Sequence, residues 1–207
     1  VNSTVTDADL RSLVALPKIR KVVLRTTEIT DAGVAFLGTC RTLVQLDLSN
    51  TKVTDNGLWW LAKLPSLESL DLSLTSVSDV GLAHLTKCAS LRHLGLAGTA
   101  ISDQGLRQLT ALKSLEELDV RGTNTTDAGA QHLGPLSGLQ RLQLDHTRIT
   151  DTAVNHVCHL RQLRHLSLVG TRVSDAGVAQ LHGLSALREL HLLGTSVTGA
   201  GVARLAQ

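Results

Sequence analysis

Leu67-Glu68-Ser69-Leu70-Asp71-Leu72-Ser73-Leu74-Thr75-Ser76-Val77-Ser78-Asp79-Val80-Gly81-Leu82 decides the fold, because its pattern returns every 24 residues. The motif L-x-x-L-x-L-x-x-T begins at Ile19, Leu43, Leu67, Leu91, Leu115, Leu139, Leu163 and Leu187. Its threonine falls on Thr27, Thr51, Thr75, Thr99, Thr123, Thr147, Thr171 and Thr195, and no insertion breaks the register. A fixed period of this length means stacked coils, each burying its apolar side only against its neighbours. A second block, close to [VI]-[ST]-D-x-G-[LV]-x-x-L, follows each threonine, and residues 5–16 are that block without its strand, with Asp9 in the glycine slot. Residues 1–207 are therefore expected to hold one N-terminal half repeat and eight 24-residue repeats in a single domain, as a fragment of a longer chain.

Each block has a local physical reading. The alternation in L-x-L is that of a strand, so Leu46 and Leu48 point inward and Asp47 outward, and successive strands stack as a parallel ladder. The threonine column is expected to turn its hydroxyls to a neighbouring coil's backbone with the methyls buried. Thr30, Ser78 and their equivalents are N-caps, and the aspartates after them, Asp31 to Asp175 in steps of 24, favour a helix N-terminus. A carboxylate copied into every coil reads as a cap rather than a calcium site or a catalytic pair, because a hard cation needs several oxygens converging on one point. Val34 and Leu37 then cover the strand layer, with Gly33 allowing close approach.

Composition narrows function. The chain is 43% hydrophobic and 18% charged, with one Phe, two Trp and neither Tyr nor Met, so its core is aliphatic and repetitive. A formal net charge of +2 supplies no field for nucleic acid, and no apolar run approaches the roughly 18 residues of a membrane span, so neither nucleic-acid binding nor membrane insertion is expected. G-x-S-x-G, P-loop, C-x-x-C and H-E-x-x-H motifs are all missing, so no catalytic or cofactor-binding residue is assigned. The nine histidines all follow residue 83; His84, His132 and His156 share one helix column with His159 nearby, and they read as solvated surface, so no metal site is assigned. Cys40 and Cys88 lie two coils apart, about 10 Å at the strand spacing and beyond disulfide reach. Unpaired thiols with a third, Cys158, favour an intracellular, cytoplasmic setting, against which the sequons Asn2-Ser3-Thr4 and Asn124-Thr125-Thr126 leave an extracellular one open.

The repeated blocks resemble a leucine-rich repeat over essentially the whole chain. They are most similar to the ribonuclease-inhibitor-like and cysteine-containing classes, with Cys40 and Cys88 at the position of the class cysteine. The resemblance implies an α/β, right-handed solenoid with a concave parallel sheet and short convex helices. It also implies a non-catalytic protein-interaction role of adaptor or scaffold type. Substrate recognition within a ubiquitin ligase, or recognition at the cell surface, are the alternatives it carries.

Recognition is expected on solvent-facing strand positions, where substitution costs the fold little. Basic and acidic groups there alternate in bands and balance, which suits a protein partner rather than a phosphate backbone. The partner-binding candidates on this face are Asp47, Asp71, Arg92, Glu117, Asp119, Arg121, Arg164 and His191. On the helix side Phe36 and Trp60 occupy a column otherwise filled by polar residues, with Trp59 beside them, so the three are expected to be exposed and to form a second candidate contact.

Overall fold

Each L-x-L motif forms a three-residue strand whose central side chain faces the interior. In the computed structural model, which describes residues 4–205, these are β1 (Lys21–Val23), β2 (Gln45–Asp47), β3 (Ser69–Asp71), β4 (His93–Gly95), β5 (Glu117–Asp119), β6 (Arg141–Gln143), β7 (His165–Ser167) and β8 (Glu189–His191). They form one parallel sheet in chain order, each residue paired with the one 24 positions on, as Leu46 is with Leu70. The helices are α1 (Asp31–Leu37), α2 (Asp55–Leu61), α3 (Asp79–Leu85), α4 (Asp103–Leu109), α5 (Asp127–Ala130), α6 (Asp151–Val157), α7 (Asp175–Val178) and α8 (Gly199–Leu205). This is the expected α/β solenoid.

Between the two layers the leucine columns interdigitate into one continuous aliphatic cluster from Leu10 to Leu184. The half repeat folds as a 3-10 turn, Asp9–Ala15, packed on α1, so Leu10 is only 2% exposed although a bare coil end would leave it in solvent. At the other end Val202 on α8 is exposed. After every strand the chain turns through a left-handed residue. Glycine fills that position at Gly98, Gly122, Gly170 and Gly194, and Thr26, Asn50, Leu74 and His146 hold the same conformation elsewhere.

The aspartate column does more than precede a helix. Asp31 accepts hydrogen bonds from the Thr54 amide at 2.8 Å and the Thr54 hydroxyl at 2.6 Å, and Thr54 is the N-cap of the next coil. The same pair of bonds joins Asp7 to Thr30, Asp55 to Ser78, Asp79 to Ser102, Asp103 to Thr126, Asp127 to Thr150, Asp151 to Ser174 and Asp175 to Thr198. Each cap hydroxyl also accepts from the amide two residues on, as Thr54 does from Asn56. Caps and coils are thus fastened by one carboxylate. The Asp175 carboxyl is held below its ordinary value of 3.8, first by the Thr198 amide and then by its hydroxyl. A lowered carboxyl pKa means that this clamp contributes fully above the ordinary value and fades as pH falls through the lowered one.

The clamp dictates the glycine column. A Cβ at Gly57 would stand 2.6 Å from Asp31 Oδ1, and at Gly81 or Gly129 it would stand 2.4 Å from the preceding aspartate. Ala153 occupies the slot once, and there its amide donates to Asp127 Oδ1 at 3.1 Å.

The threonine column is buried as expected from Thr27 to Thr171 and half-buried at Thr195, but its hydroxyls donate within their own coil. Thr51 Oγ1 donates to the Leu48 carbonyl at 2.6 Å, and the other seven repeat this bond three residues back. The local turn offers an acceptor nearer than the adjacent coil does. Cys40 and Cys88 are buried free thiols, and desolvation pushes Cys88 up to about 11.

Two stability measurements test this reading. Gly57→Ala should destabilise by about 1–2 kcal/mol, because the added methyl overpacks the site and the Asp31 carboxylate must yield. In an Asp31→Ala background the penalty should fall to near zero, since alanine is otherwise the better helix former; equal penalties in both backgrounds would refute a carboxylate-imposed glycine. Thr123→Val should cost about 1–3 kcal/mol by stranding buried partners, since Thr123 Oγ1 lies 2.8 Å from both the Val120 carbonyl and the buried Thr125 hydroxyl. Thr195→Val, at a half-buried position, should cost less, and urea midpoints of the two variants give the comparison.

Candidate functional site

Eight strands present two outward columns of side chains, one from each strand's first residue and one from its third. The first runs Lys21, Gln45, Ser69, His93, Glu117, Arg141, His165, Glu189, and the third Val23, Asp47, Asp71, Gly95, Asp119, Gln143, Ser167, His191. Small residues at Ser69 and Gly95 leave a depression of about 180 Å³ where Asp71, Glu117 and Asp119 converge, with His93, Arg141 and Gln143 on its walls. A second hollow of about 300 Å³ shares Ser69 and Asp71 with it and extends toward Lys21 and Asp47. Together they make a shallow groove across coils one to six that carries more acid than base. A larger hollow of about 490 Å³ lies at the N-terminal ends of the first three strands among Lys18, Arg20, Thr42, Val44, Ser66 and Glu68, without convergent carboxylates.

The groove's acids are held by local geometry. Asp47 Oδ1 accepts from the Ser49 amide at 3.0 Å and its hydroxyl at 2.6 Å, and Asp71 Oδ1 accepts from the Ser73 amide at 2.9 Å. Asp119 accepts from the Arg121 amide and from its guanidinium through Nε and Nη2, at 2.7–3.0 Å. That pairing raises the Arg121 pKa, first through the Asp119 hydrogen bond, with Asp145 and Asp71 adding their charges. Glu117 lies 3.8 Å from both His93 Nε2 and Arg141 Nε.

Two family models described as leucine rich repeat match the chain, one over residues 113–173 and one over 39–58, 63–85 and 87–109. The chain is a leucine-rich repeat protein. No curated protein matches it by sequence. Among solved structures, the repeat protein is similar to internalin C2 from Listeria monocytogenes, at 24% identity and a TM-score of 0.74, over 97% of this chain and 80% of that one. It also resembles the ectodomain of the Arabidopsis receptor kinase HAESA, solved with a peptide hormone, at 21% identity and a TM-score of 0.70. That match covers 90% of this chain but only 32% of the receptor chain.

Within this repeat protein the predicted residues separate into three places. Asp47, Asp71, Glu117, Asp119 and Arg121 gather in or beside the groove. Arg92, which is exposed, pairs with Glu116 in the neighbouring coil, and Arg164 is exposed further along. His191 lies at the far end on β8 and its ring meets His165 edge-on, with centroids 4.8 Å apart. Sequence reading missed His165, which looked like one more surface histidine but is 6% exposed. Its Nδ1 lies 2.7 Å from Glu189 Oε2 and its Nε2 is buried without a partner. The Glu189 carboxyl is held below its usual range, first by that hydrogen bond and then by the charges of His165, Arg141 and His191. His165, Glu189 and His191 are the only group of three metal-ligating residues drawn together among the described residues, and no helix histidine joins such a group.

The aromatic expectation needs correction. Phe36 and Trp60 are half-buried against the core, because their rings fold over the adjoining aliphatic columns; only Trp59, at 46%, is well exposed. Lys63 Nζ sits 3.2 Å from the Trp59 centroid and 4.2 Å from that of Trp60, and Arg11 lies over Phe36 at 5.5 Å. A cation thus stands over each of the three rings. No helix among the described residues is long and apolar enough to cross a membrane. Of the two sequons, Asn124 is exposed and Asn2 lies outside the described residues.

The turn bonds make the groove acids unequal to free surface charges. Asp47→Asn keeps an acceptor oxygen and should shift stability by less than about 0.5 kcal/mol, whereas Asp47→Lys unties the Ser49 amide and should cost about 1 kcal/mol. Matching urea midpoints for the two variants would show that the bond contributes nothing.

Proposed function

We propose that the chain is a non-catalytic protein-recognition module that binds an extended, basic segment of a partner protein along the strand face, which is concave in this architecture. The observation that carries this reading is the convergence of Asp71, Glu117 and Asp119 on the depression opened by Ser69 and Gly95. A partner lysine or arginine seated there meets three carboxylates preset by turns and neighbouring strands, so little side-chain ordering is lost on binding. Arg121 neutralises part of Asp119 and Arg141 part of Glu117, which leaves Asp71 as the stronger attractor. Arg92 and Arg164, both exposed, carry charge of the same sign as the segment and so limit where on the strand face it can lie.

The family placement supports an interaction role. Buried Cys40 and Cys88 at equivalent coil positions support a place near the cysteine-containing class, with substrate recognition in a ubiquitin ligase or recognition at a cell surface as further contexts. Trp59, with Lys63 over its ring, is the secondary contact on the helix side.

Selection of a displayed random-peptide library on the immobilised domain tests the proposal. The recovered peptides should be enriched in Lys and Arg. They should bind more weakly to an Asp47→Asn, Asp71→Asn, Glu117→Gln triple variant by about tenfold or more, a loss of about 1.4 kcal/mol or more, and weaken as salt rises. Binders without basic residues, or binders lost on Trp59→Gln and kept by the triple variant, would overturn it.

A further inference from the structure

We propose that His165, Glu189 and His191 form a binding site for a divalent transition-metal ion of the zinc type at the C-terminal end of the strand face. Glu189 and His191 stand two residues apart on β8 and share one face of the sheet, and β7 places His165 directly opposite Glu189. One ligand atom from each lies within 4.8 Å of the other two. Both imidazoles offer borderline nitrogen donors and the carboxylate an oxygen, a set that suits zinc and disfavours calcium or magnesium, which take mostly oxygen.

The second observation is the unpaired nitrogen. With Nδ1 engaged by Glu189, His165 keeps Nε2 buried and without a hydrogen-bond partner, in a residue only 6% exposed. A neutral ring leaves a lone pair unmet there and a protonated ring leaves an N–H unmet, and buried polar atoms in that state call for a reason. His165 thus brings to the cluster a ring with one nitrogen that the protein itself leaves unpaired. Ligand atoms around a tetrahedral zinc with bonds of about 2.0–2.1 Å lie about 3.4 Å apart, a separation bracketed by the 2.7 Å between His165 Nδ1 and Glu189 Oε2 and the 4.8 Å within which all three groups lie, so small side-chain adjustments suffice. Glu189 and His191 are exposed, and the buried His165 is the fixed point. Arg141, whose charge bears on Glu189, pairs with Glu117 on the strand to its other side. Three protein ligands leave a fourth position facing solvent, open to water or to a donor atom of a bound partner. The site is independent of the acidic groove, which involves none of these residues.

Zinc chloride titrated calorimetrically into the chelator-stripped chain tests the proposal, with thermal melts and cobalt spectra as second readouts. One zinc per chain should bind, the melting temperature should rise, and cobalt should give the visible bands of a tetrahedral site. His191→Ala and Glu189→Gln, both at exposed positions where the fold is insensitive, should each weaken binding by at least about tenfold. A His132→Ala, His156→Ala double variant, on the helix side, should bind as the parent does. Absence of heat and of a thermal shift at millimolar zinc would overturn the proposal, as would binding that survives both strand substitutions or is lost in the helix double variant.

Discussion

The carboxylate that each coil extends to the helix cap of the next is the constraint on which the rest of the structure depends. A seven-residue helix is far too short to persist alone, and a three-residue strand has no independent stability. What fixes both is contact with neighbouring coils, and the aspartate supplies the directional part of that contact. Two hydrogen bonds to an ionised acceptor hold the amide and hydroxyl of the cap in place while the hydroxyl in turn caps its own helix. The leucine columns provide the larger, non-directional share of the stabilisation, but aliphatic side chains alone would tolerate slippage between coils. Glycine follows from the same bond, because the space a methyl would occupy at Gly57 is already taken by Asp31. In the half repeat the glycine slot holds Asp9, which accepts from the Thr6 amide and hydroxyl.

How much of this was legible in the sequence depends on the range of each interaction. The period, the strands, the caps and the inward leucines rest on spacings of two to four residues and are read directly. The partner of Asp31 stands 23 residues away, so a local reading finds the helix-dipole role and misses the clamp. The threonine hydroxyls failed in the opposite sense, since a distant acceptor was expected and a carbonyl three residues back is the one used. Phe36 and Trp60 illustrate a third limit: the character of a column predicts the average exposure of its members, but a large ring folds down onto its neighbours where a short polar side chain does not. His165 escaped notice because its burial comes from flanking strands rather than from its own pattern, which reads as an outward position.

The strand face carries two kinds of side chain. Asp47, Asp71 and Asp119 each tie down the turn that follows, so part of the negative charge of the groove is required by the fold. The side chains of Glu117, Arg141, Glu189 and His191 make no hydrogen bond to a turn among the described residues, and their chemistry can change without loosening one. Recognition written on this face is therefore a compromise in which the acids nearest the turn supply a preset field and the first strand column supplies the variable part.

A physical separation makes that compromise workable. The clamps lie at the helix N-termini and the apolar columns lie between the layers, so neither shares atoms with the outward strand columns, and a change at Ser69 or Gly95 leaves both untouched. Nearest-neighbour coupling confines any structural cost to the adjacent coils. An acidic groove over the central coils and a histidine and glutamate cluster at the last two can therefore coexist on one sheet, because each depends only on the few strands that present it.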